Sequence, residues 1–300
     1  MCNCTTFEVV AALAGTPGVT YPWPHTFAWG PLMLRSLRRI VNRKPASQRT
    51  AFAPAGERWY AVGDVHGRAD LLASLIAAID ADDAAAPPAR TTAVLLGDLI
   101  DRGPDSAGVV ALARDWGSRR IVRYLAGNHE EMFLESFDDL QTMRHYLKHG
   151  GRETLLSYGL DPRDYDRMSL AELQARMIEL VPPADRAFLA GFEEHVVAGD
   201  YVFVHAGLNP AHPLDAQTRA DLLWIREPFL RHAEPFSHVV VHGHTIFQDI
   251  EATPNRIGID TGAFRTGRLT ALVLEGDRRR HIQAVAGRGG EIQIEKADIT

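Results

Sequence analysis

Short apolar runs of β-forming residues alternate with segments of helical periodicity from Trp59 onward. The run at residues 59–62 predicts a strand, and the apolar residues after it recur at the three- and four-residue spacing of a helix. Four further strands and a late antiparallel strand are predicted at residues 93–96, 121–125, 201–204, 239–241 and 269–274. Strands joined through helices run parallel, so this order predicts a two-sheet α/β sandwich with its ligands beyond the carboxyl ends of the strands.

Three segments interrupt or flank this alternation. Residues of about 131–197 lack strand patterning and are predicted to form a helical insertion over the site. Residues 1–56 are predicted to be a disordered leader in which Met33 is a candidate translation start, and residues 288–300 a C-terminal tail. A single catalytic domain, residues 57–287, then accounts for most of the chain.

Composition narrows the class of protein. The 300 residues carry a formal net charge of -6, so no overall cationic field attracts a nucleic-acid polymer, and none is expected as a partner. No run of about 18 uncharged apolar residues occurs, so we expect no membrane span. The two cysteines, Cys2 and Cys4, lie at the N-terminus and cannot cross-link the domain, which favours a reducing, cytoplasmic location.

Five short blocks place Asp, Asn or His beside glycine after apolar β-forming runs. In chain order they are Gly63-Asp64-Val65-His66-Gly67, Gly97-Asp98-Leu99-Ile100-Asp101-Arg102-Gly103, Gly127-Asn128-His129-Glu130, His205-Ala206-Gly207 and Gly243-His244-Thr245. Glycine lets the backbone turn sharply, so these side chains are presented together at strand ends. Five such blocks indicate a metal centre.

The candidate metal ligands are Asp64, His66, Asp98, Asn128, His205 and His244. Asp64 and His66 leave the same face of an extended strand and can bind one ion, while Asp98 can bridge to a second. Oxygen and nitrogen ligands without thiolate favour Mn, Fe or Zn at an open hydrolytic centre, and we expect two divalent ions, with manganese supporting activity. Two ions about 3.5 to 4 Å apart suit in-line attack of a bridging hydroxide on phosphorus.

Simpler roles exist for the same residues. Asp64 and Asp98 could cap the helices that follow their strands. His205 and His244 could be hydrogen-bonded histidines of the core. The presence of all five blocks favours ligation over these roles.

Three other block residues suit acid catalysis and phosphate binding. His129 directly follows a candidate ligand, so its side chain should point away from Asn128 and is free to protonate an alkoxide leaving group. Asp101 can fix the tautomer of that imidazole. Arg102 offers a planar fork for phosphate oxygens.

The blocks resemble those of the phosphoprotein phosphatase family, in particular its bacterial and phage serine/threonine phosphatase branch, within the calcineurin-like metallophosphoesterases. The resemblance extends over residues 60–274 and includes the segments at 150–159 and 258–263. It implies a four-layer α/β sandwich of two mixed sheets flanked by helices. It also implies dinuclear ligation by the six candidate ligands, with His129 and Asp101 as the acid pair.

Arg226 is the second phosphate-binding residue that the resemblance implies, with Arg265 and Arg268 as nearby alternatives. Two positions depart from the family pattern. Ala126 stands where Arg often precedes Gly-Asn-His-Glu, so another residue such as Arg123 would supply that charge. Ile246 stands where broader metallophosphoesterases have a second His, which favours the phosphoprotein phosphatase branch.

The leading hypothesis is therefore a serine/threonine protein phosphatase. The alternative is a symmetrical bis(5'-nucleosyl)-tetraphosphatase, which shares the same metal centre and needs an apolar or aromatic slot for adenine. Tyr146, Tyr158 and Tyr165 could stack a base, and they could equally be packing residues. A third hypothesis, an inactive module that binds phosphorylated partners, predicts a lost ligand or acid, and none is lost.

Overall fold

The computed structural model describes residues 50–299. Most of the predicted leader, including Cys2, Cys4 and Met33, lies outside the described residues. No helix within residues 50–299 is long and apolar enough to cross a membrane.

The larger sheet has six strands. They are β1 (Glu57–Val62), β2 (Arg90–Leu95), β3 (Val122–Tyr124), β9 (Arg268–Glu275), β10 (Arg278–Ala286) and β11 (Ile292–Asp298). Their order is β11-β10-β9-β1-β2-β3. The three N-terminal strands run parallel, and the three C-terminal strands pair antiparallel, so the sheet is mixed.

The smaller sheet has five strands. They are β4 (His195–Ala198), β5 (Tyr201–Val204), β6 (Val239–His242), β7 (Glu251–Ala252) and β8 (Arg256–Gly258). In the order β4-β5-β6-β8-β7, the three central strands are parallel and both edges are antiparallel. The predicted α/β class with two mixed sheets is confirmed.

Helices cover the outer faces of both sheets. They are α1 (Ala69–Ala85), α2 (Ser106–Arg119), α3 (Asn128–Glu135), α4 (Leu140–Tyr146), a π-helix (Leu147–Gly151), α5 (Arg152–Ser157), α6 (Pro162–Tyr165), α7 (Leu170–Leu180), α8 (Pro183–Ala190), a 3₁₀ turn (Leu214–Ala216), α9 (Arg219–Trp224), α10 (Glu227–Leu230) and α11 (Ala263–Thr266).

Three apolar clusters separate the four layers. Strand β1 is buried on both faces, as expected of a strand between two packed layers. Trp59 and Ala61 face the smaller sheet, where the Trp59 ring stacks on Phe203 at 5.6 Å. Tyr60 and Val62 face the helices on the other side. The third cluster lies between the smaller sheet and α9 and α10, so helix, sheet, sheet and helix succeed one another.

The structure differs from the predicted limits of the domain at three places. Ala51 and Ala53, in the predicted leader, are buried between the sheets. The predicted C-terminal tail contains β11, which pairs with β10 along its length. The predicted helical insertion ends before residue 197, because His195 begins β4. Burial of Ala51 and Ala53 and strand pairing of β4 and β11 determine these limits, and local periodicity does not report either.

Asp82 joins α1 to three strands of the larger sheet. Its carboxylate accepts hydrogen bonds from Tyr60 Oη (2.7 Å), Arg280 (2.6 and 2.9 Å) and Lys296 Nζ (3.0 Å). Burial opposes ionisation, but these partners outweigh it and lower the pKa of Asp82 to about 2. In the unfolded chain an Asp has a pKa near 3.9. The ionised Asp82 carboxylate therefore stabilises the folded protein fully above that pH, and this stabilisation is lost as the pH falls towards 2.

Asp82→Asn is therefore expected to lower the free energy of unfolding at pH 7 by about 2 kcal/mol, because hydrogen bonds to the charged carboxylate are lost. Urea unfolding at pH 7 and at pH 2.5 measures this difference. The gap between the two proteins should shrink at pH 2.5, where the wild-type carboxyl is partly protonated. A gap of equal size at both pH values would contradict this account of Asp82.

Candidate active site

The carboxyl ends of five strands meet at one edge of the sandwich and bring the six candidate ligands together. Asp98 lies at the centre of this cluster, with its side chain 2 % exposed. Within the described residues, two groups of three side chains place ligand atoms within 4.8 Å of one another and share Asp98: His66, Asp98 and His129, and Asp98, His205 and His244. Asn128 and Asp64 lie against these groups.

The hydrogen bonds of two histidines fix which ring nitrogen faces the centre. His66 Nδ1 lies 2.9 Å from Ile100 O, and His205 Nδ1 lies 2.8 Å from Leu96 O. A carbonyl can only accept, so each Nδ1 carries the hydrogen and each Nε2 presents a lone pair. These Nε2 atoms lie 3.5 and 3.4 Å from the carboxylate oxygens of Asp98. A backbone partner on the far nitrogen is the usual support for a metal-binding imidazole.

Acceptors face one another around His205. Its Nε2 and Asn128 Oδ1 are both acceptors and lie 3.0 Å apart, and His244 Nδ1 lies 3.2 Å from the same Nε2. His244 Nε2 is buried and has no hydrogen-bond partner among residues 50–299. Buried lone pairs that point together without donors are costly, and a cation between them removes the cost. The donor set therefore fits a divalent ion.

Buried carboxylates crowd the same edge. The Asp64 carboxylate accepts the backbone N–H of His244 at 3.0 Å and lies beside Asp260. Burial, with the charges of Asp260 and Asp98, raises the pKa of Asp64 well above its usual value. Burial also disfavours ionised Asp98, but the surrounding imidazoles outweigh it and lower its pKa. Clustered buried anions also fit divalent cations.

Backbone strain coincides with the blocks. Within the described residues, the non-glycine residues with positive φ are His66 (45°), Asp98 (49°), Asp101 (74°), Arg102 (67°) and His244 (61°). Left-handed conformations of such residues are uncommon and persist where the surroundings enforce them, often at functional sites. The turns after β1, β2 and β6 therefore place site residues in left-handed conformations, which the adjacent glycines in the sequence could indicate but not specify.

Glu130 and Gly243 support two of the candidate ligands, Asp98 and Asp64. The Glu130 carboxylate accepts the backbone N–H groups of Asp98 (2.8 Å), Leu99 (2.8 Å) and Gly127 (3.0 Å), so it ties the β2 turn to the start of α3. A side chain at residue 243 would place its Cβ 2.0 Å from Asp64 Oδ1, so glycine is needed there. We did not predict the role of Glu130, although an acid three residues into a helix is a signal for a capping carboxylate.

His129 and Asp101 form a buried pair beside the candidate ligands. His129 Nδ1 lies 2.7 Å from Asp101 Oδ2, and both side chains are almost fully buried. His129 Nε2 is buried, has no hydrogen-bond partner within residues 50–299 and lies 3.9 Å from Asp98 Oδ2. Burial would lower the pKa of His129, but Asp98 and Asp101 outweigh burial and raise it. The pair can supply a proton at Nε2.

Two of the candidate arginines lie at this edge. Arg102 Nη1 is 2.8 Å from His66 Nε2, and its guanidinium lies 5.0 Å from the centroid of the Phe264 ring. Arg226 Nη1 donates to Oγ1 of Thr245, the residue that follows His244, at 3.4 Å.

The other arginines have different surroundings. Arg268 binds Gln283 and Glu295 on the strands of the larger sheet. Arg265 is exposed, and no hydrogen bond or ion pair of its side chain is seen within residues 50–299. Arg123, considered above as a substitute for the arginine absent at Ala126, forms an ion pair with Glu193. Of the three candidates for the second phosphate-binding residue, Arg226 is the one whose side chain contacts a block residue, Thr245.

Comparison with known proteins agrees with this geometry. The family model described as calcineurin-like phosphoesterase matches residues 58–262. Serine/threonine-protein phosphatase 1 of Salmonella typhimurium is 30% identical over 217 residues, which are 70% of this chain and 89% of that protein.

Two further proteins carry tetraphosphatase descriptions. The asymmetrical bis(5'-nucleosyl)-tetraphosphatase PrpE of Oceanobacillus iheyensis is 26% identical over 194 residues, 59% of this chain and 72% of that protein. A crystal structure of a protein provisionally described as a diadenosine tetraphosphatase matches with a TM-score of 0.51 and 23% identity, covering 82% of this chain and 98% of the other. This structural likeness supports the fold alone.

Proposed function

Because the chain belongs to the calcineurin-like phosphoesterase family and is a phosphoester hydrolase, we propose that it is a serine/threonine protein phosphatase with a dinuclear metal centre. The proposed ligands are Asp64, His66, Asp98, Asn128, His205 and His244. Two divalent ions, when bound, supply Lewis acidity and an activated water for attack on phosphorus. Manganese is the proposed ion for activity, and the cytoplasm is the proposed location.

The chain's own residues divide the remaining work. His129 protonates the leaving oxygen from Nε2, and Asp101 holds the ring in orientation at 2.7 Å. Arg102 and Arg226 bind the phosphoryl oxygens and stabilise the charge that develops on them. Asp98, which belongs to both groups of closely placed side chains, is the proposed shared ligand.

The buried His129–Asp101 pair is the observation that carries the proposal. A serine or threonine alkoxide is a strongly basic leaving group and needs a proton in the transition state. The leaving group of a dinucleoside polyphosphate is a nucleotide phosphate, which is far less basic and gains less from an acid. An acid with an unpartnered, inward-facing Nε2 therefore favours an alkoxide substrate.

The tyrosines proposed to stack adenine are engaged elsewhere. Tyr146 is fully buried, and its hydroxyl donates to Asp101. Tyr158 donates to Asp185, and the Tyr165 ring packs under the Arg152 guanidinium. These contacts weaken the case for a base slot built from the three tyrosines.

Hydrolysis of a dinucleoside tetraphosphate is the second candidate function, and the similarity to PrpE favours it. We would compare kcat/KM of the manganese-loaded full-length protein on a phosphoserine peptide and on diadenosine tetraphosphate. The proposal predicts at least a tenfold preference for the peptide. A tenfold preference for the dinucleotide would overturn the protein phosphatase proposal and leave the family assignment intact.

A further inference from the structure

The segment Gly150-Gly151-Arg152-Glu153-Thr154 is part of the family resemblance and has no role in the proposed function. It belongs to the helical insertion, where the π-helix joins α4 to α5. Gly150, with φ of 109°, is not helical, so the backbone kinks at this junction. Together with Tyr146, the residue before this turn, it lies directly against Asp101 and Arg102.

Tyr146 and Thr154 both bind the Asp101 oxygen that does not face His129. Tyr146 Oη donates to Asp101 Oδ1 at 2.8 Å, and Thr154 Oγ1 donates to the same oxygen at 2.6 Å. His129 Nδ1 binds Oδ2 at 2.7 Å. Burial raises the pKa of Tyr146 well above its usual value, so its hydroxyl keeps the proton that it donates. The carboxylate is thus held from both sides.

The backbone of the same turn is also held from the insertion. The Asp101 N–H donates to Ser106 Oγ at 2.9 Å and to Thr154 Oγ1 at 3.0 Å, and the two hydroxyls are 2.8 Å apart. Because the Thr154 hydrogen is given to Asp101 Oδ1, the Ser106 hydroxyl donates to Thr154. Asp101, Ser106, Tyr146 and Thr154 are all fully buried, so water cannot replace a missing partner.

The next residue is held by the backbone of the kink at Gly150. Arg102 N donates to Gly150 O at 3.1 Å. Gly150 has φ of 109°, and a Cβ there would lie 2.7 Å from Arg102 N. Asp101 and Arg102 are consecutive left-handed residues, a strained arrangement that needs support from its surroundings.

We propose that residues 146–154, the buttress segment, position the acid pair, with Tyr146 and Thr154 as positioning residues that aim the Asp101 carboxylate at His129. The inference rests on the proposed role of His129 as general acid. Without the Tyr146 hydroxyl, Asp101 Oδ1 loses a buried hydrogen-bond donor, and the carboxylate rotates towards another donor. His129 then loses its orientation, while the candidate metal ligands keep theirs.

A leaving-group series tests this role with the manganese-loaded full-length protein. The substrates are 4-nitrophenyl phosphate, which needs little proton donation, phenyl phosphate and a phosphoserine peptide. Tyr146→Phe is expected to change kcat/KM on 4-nitrophenyl phosphate by less than about twofold and to lower it roughly tenfold on the peptide. Tyr158→Phe, which removes a tyrosine hydroxyl from the same insertion, is the matched control and should leave all three values unchanged.

A second pair of variants tests the same role in case Tyr146→Phe does not fold. Thr154→Val should show the same dependence on the leaving group, and Thr154→Ser, which retains the hydroxyl, should restore the peptide activity. Equal losses on all three substrates, or no loss on any, would overturn the inference. His129→Asn is measured in the same series. If His129→Asn itself shows no dependence on the leaving group, the proposed acid fails; if it does and the Tyr146 and Thr154 variants do not, the inference alone fails.

Discussion

Asp98→Asn is expected to lower kcat/KM by about 10³-fold or more on every phosphoester and to reduce the metal bound per chain. Asp98 is the carboxylate common to both groups of closely placed side chains, and it is buried among four imidazoles. An amide removes the negative charge and adds N–H donors where the cluster presents lone pairs. Bound metal stabilises the charge of the transition state by several kcal/mol, and loss of that stabilisation corresponds to a rate decrease of this size.

The measurement combines turnover of 4-nitrophenyl phosphate with metal analysis of the same protein sample. Asp115→Asn is the matched control, because Asp115 is exposed on α2 and pairs with Arg119. The control should keep its metal content and its activity. If Asp98→Asn retained two ions per chain and more than a tenth of the wild-type activity, Asp98 would not be the shared ligand.

His129→Asn is expected to lower kcat/KM on a phosphoserine peptide by about 10²- to 10³-fold, which lies within the range that general acids contribute. Metal content should stay unchanged, because the substitution retains all six proposed ligands. On 4-nitrophenyl phosphate the loss should be less than about tenfold, since that leaving group departs without a proton. Steady-state kinetics on both substrates, with metal analysis, measures these effects.

His238→Asn provides the control for this substitution. His238 directly precedes β6, whose opposite end leads to His244, so its change should affect neither substrate. An equal loss on the two substrates, accompanied by loss of metal, would show that His129 is a ligand and not the acid.

The site was more accessible to sequence analysis than the outer strands. Each block marks the carboxyl end of a strand, and parallel strands bring these ends together, so spacing alone placed the six candidate ligands at one edge. Strand β10 escaped prediction because it begins with Arg278-Arg279-Arg280 and buries Gln283, whose amide donates to Thr270. Strand β11 lies at the edge of its sheet and is largely exposed, so its apolar alternation is weak.

Residues that support the site from a distance were not predicted. Tyr146 and Thr154 are 45 and 53 positions from Asp101, and their hydroxyls reach it through the fold of the insertion. The motif around residue 150 was visible in the sequence, but its contact with Arg102 was not. The left-handed backbone of Asp101 and Arg102 likewise depends on these partners. Hydrophobic periodicity predicts which face of a segment is buried. The roles of Tyr146, Thr154 and Gly150 depend instead on which distant segment each residue contacts in the fold.

We propose that two metal ions held by the strand-end residues support phosphoester hydrolysis. The most direct test is to titrate manganese into the metal-free 300-residue protein. Bound ions per chain and turnover of a phosphoserine peptide are determined on the same samples. We expect saturation at two ions per chain, with turnover appearing as the second ion binds. Full turnover with one ion per chain, or with none, would contradict it.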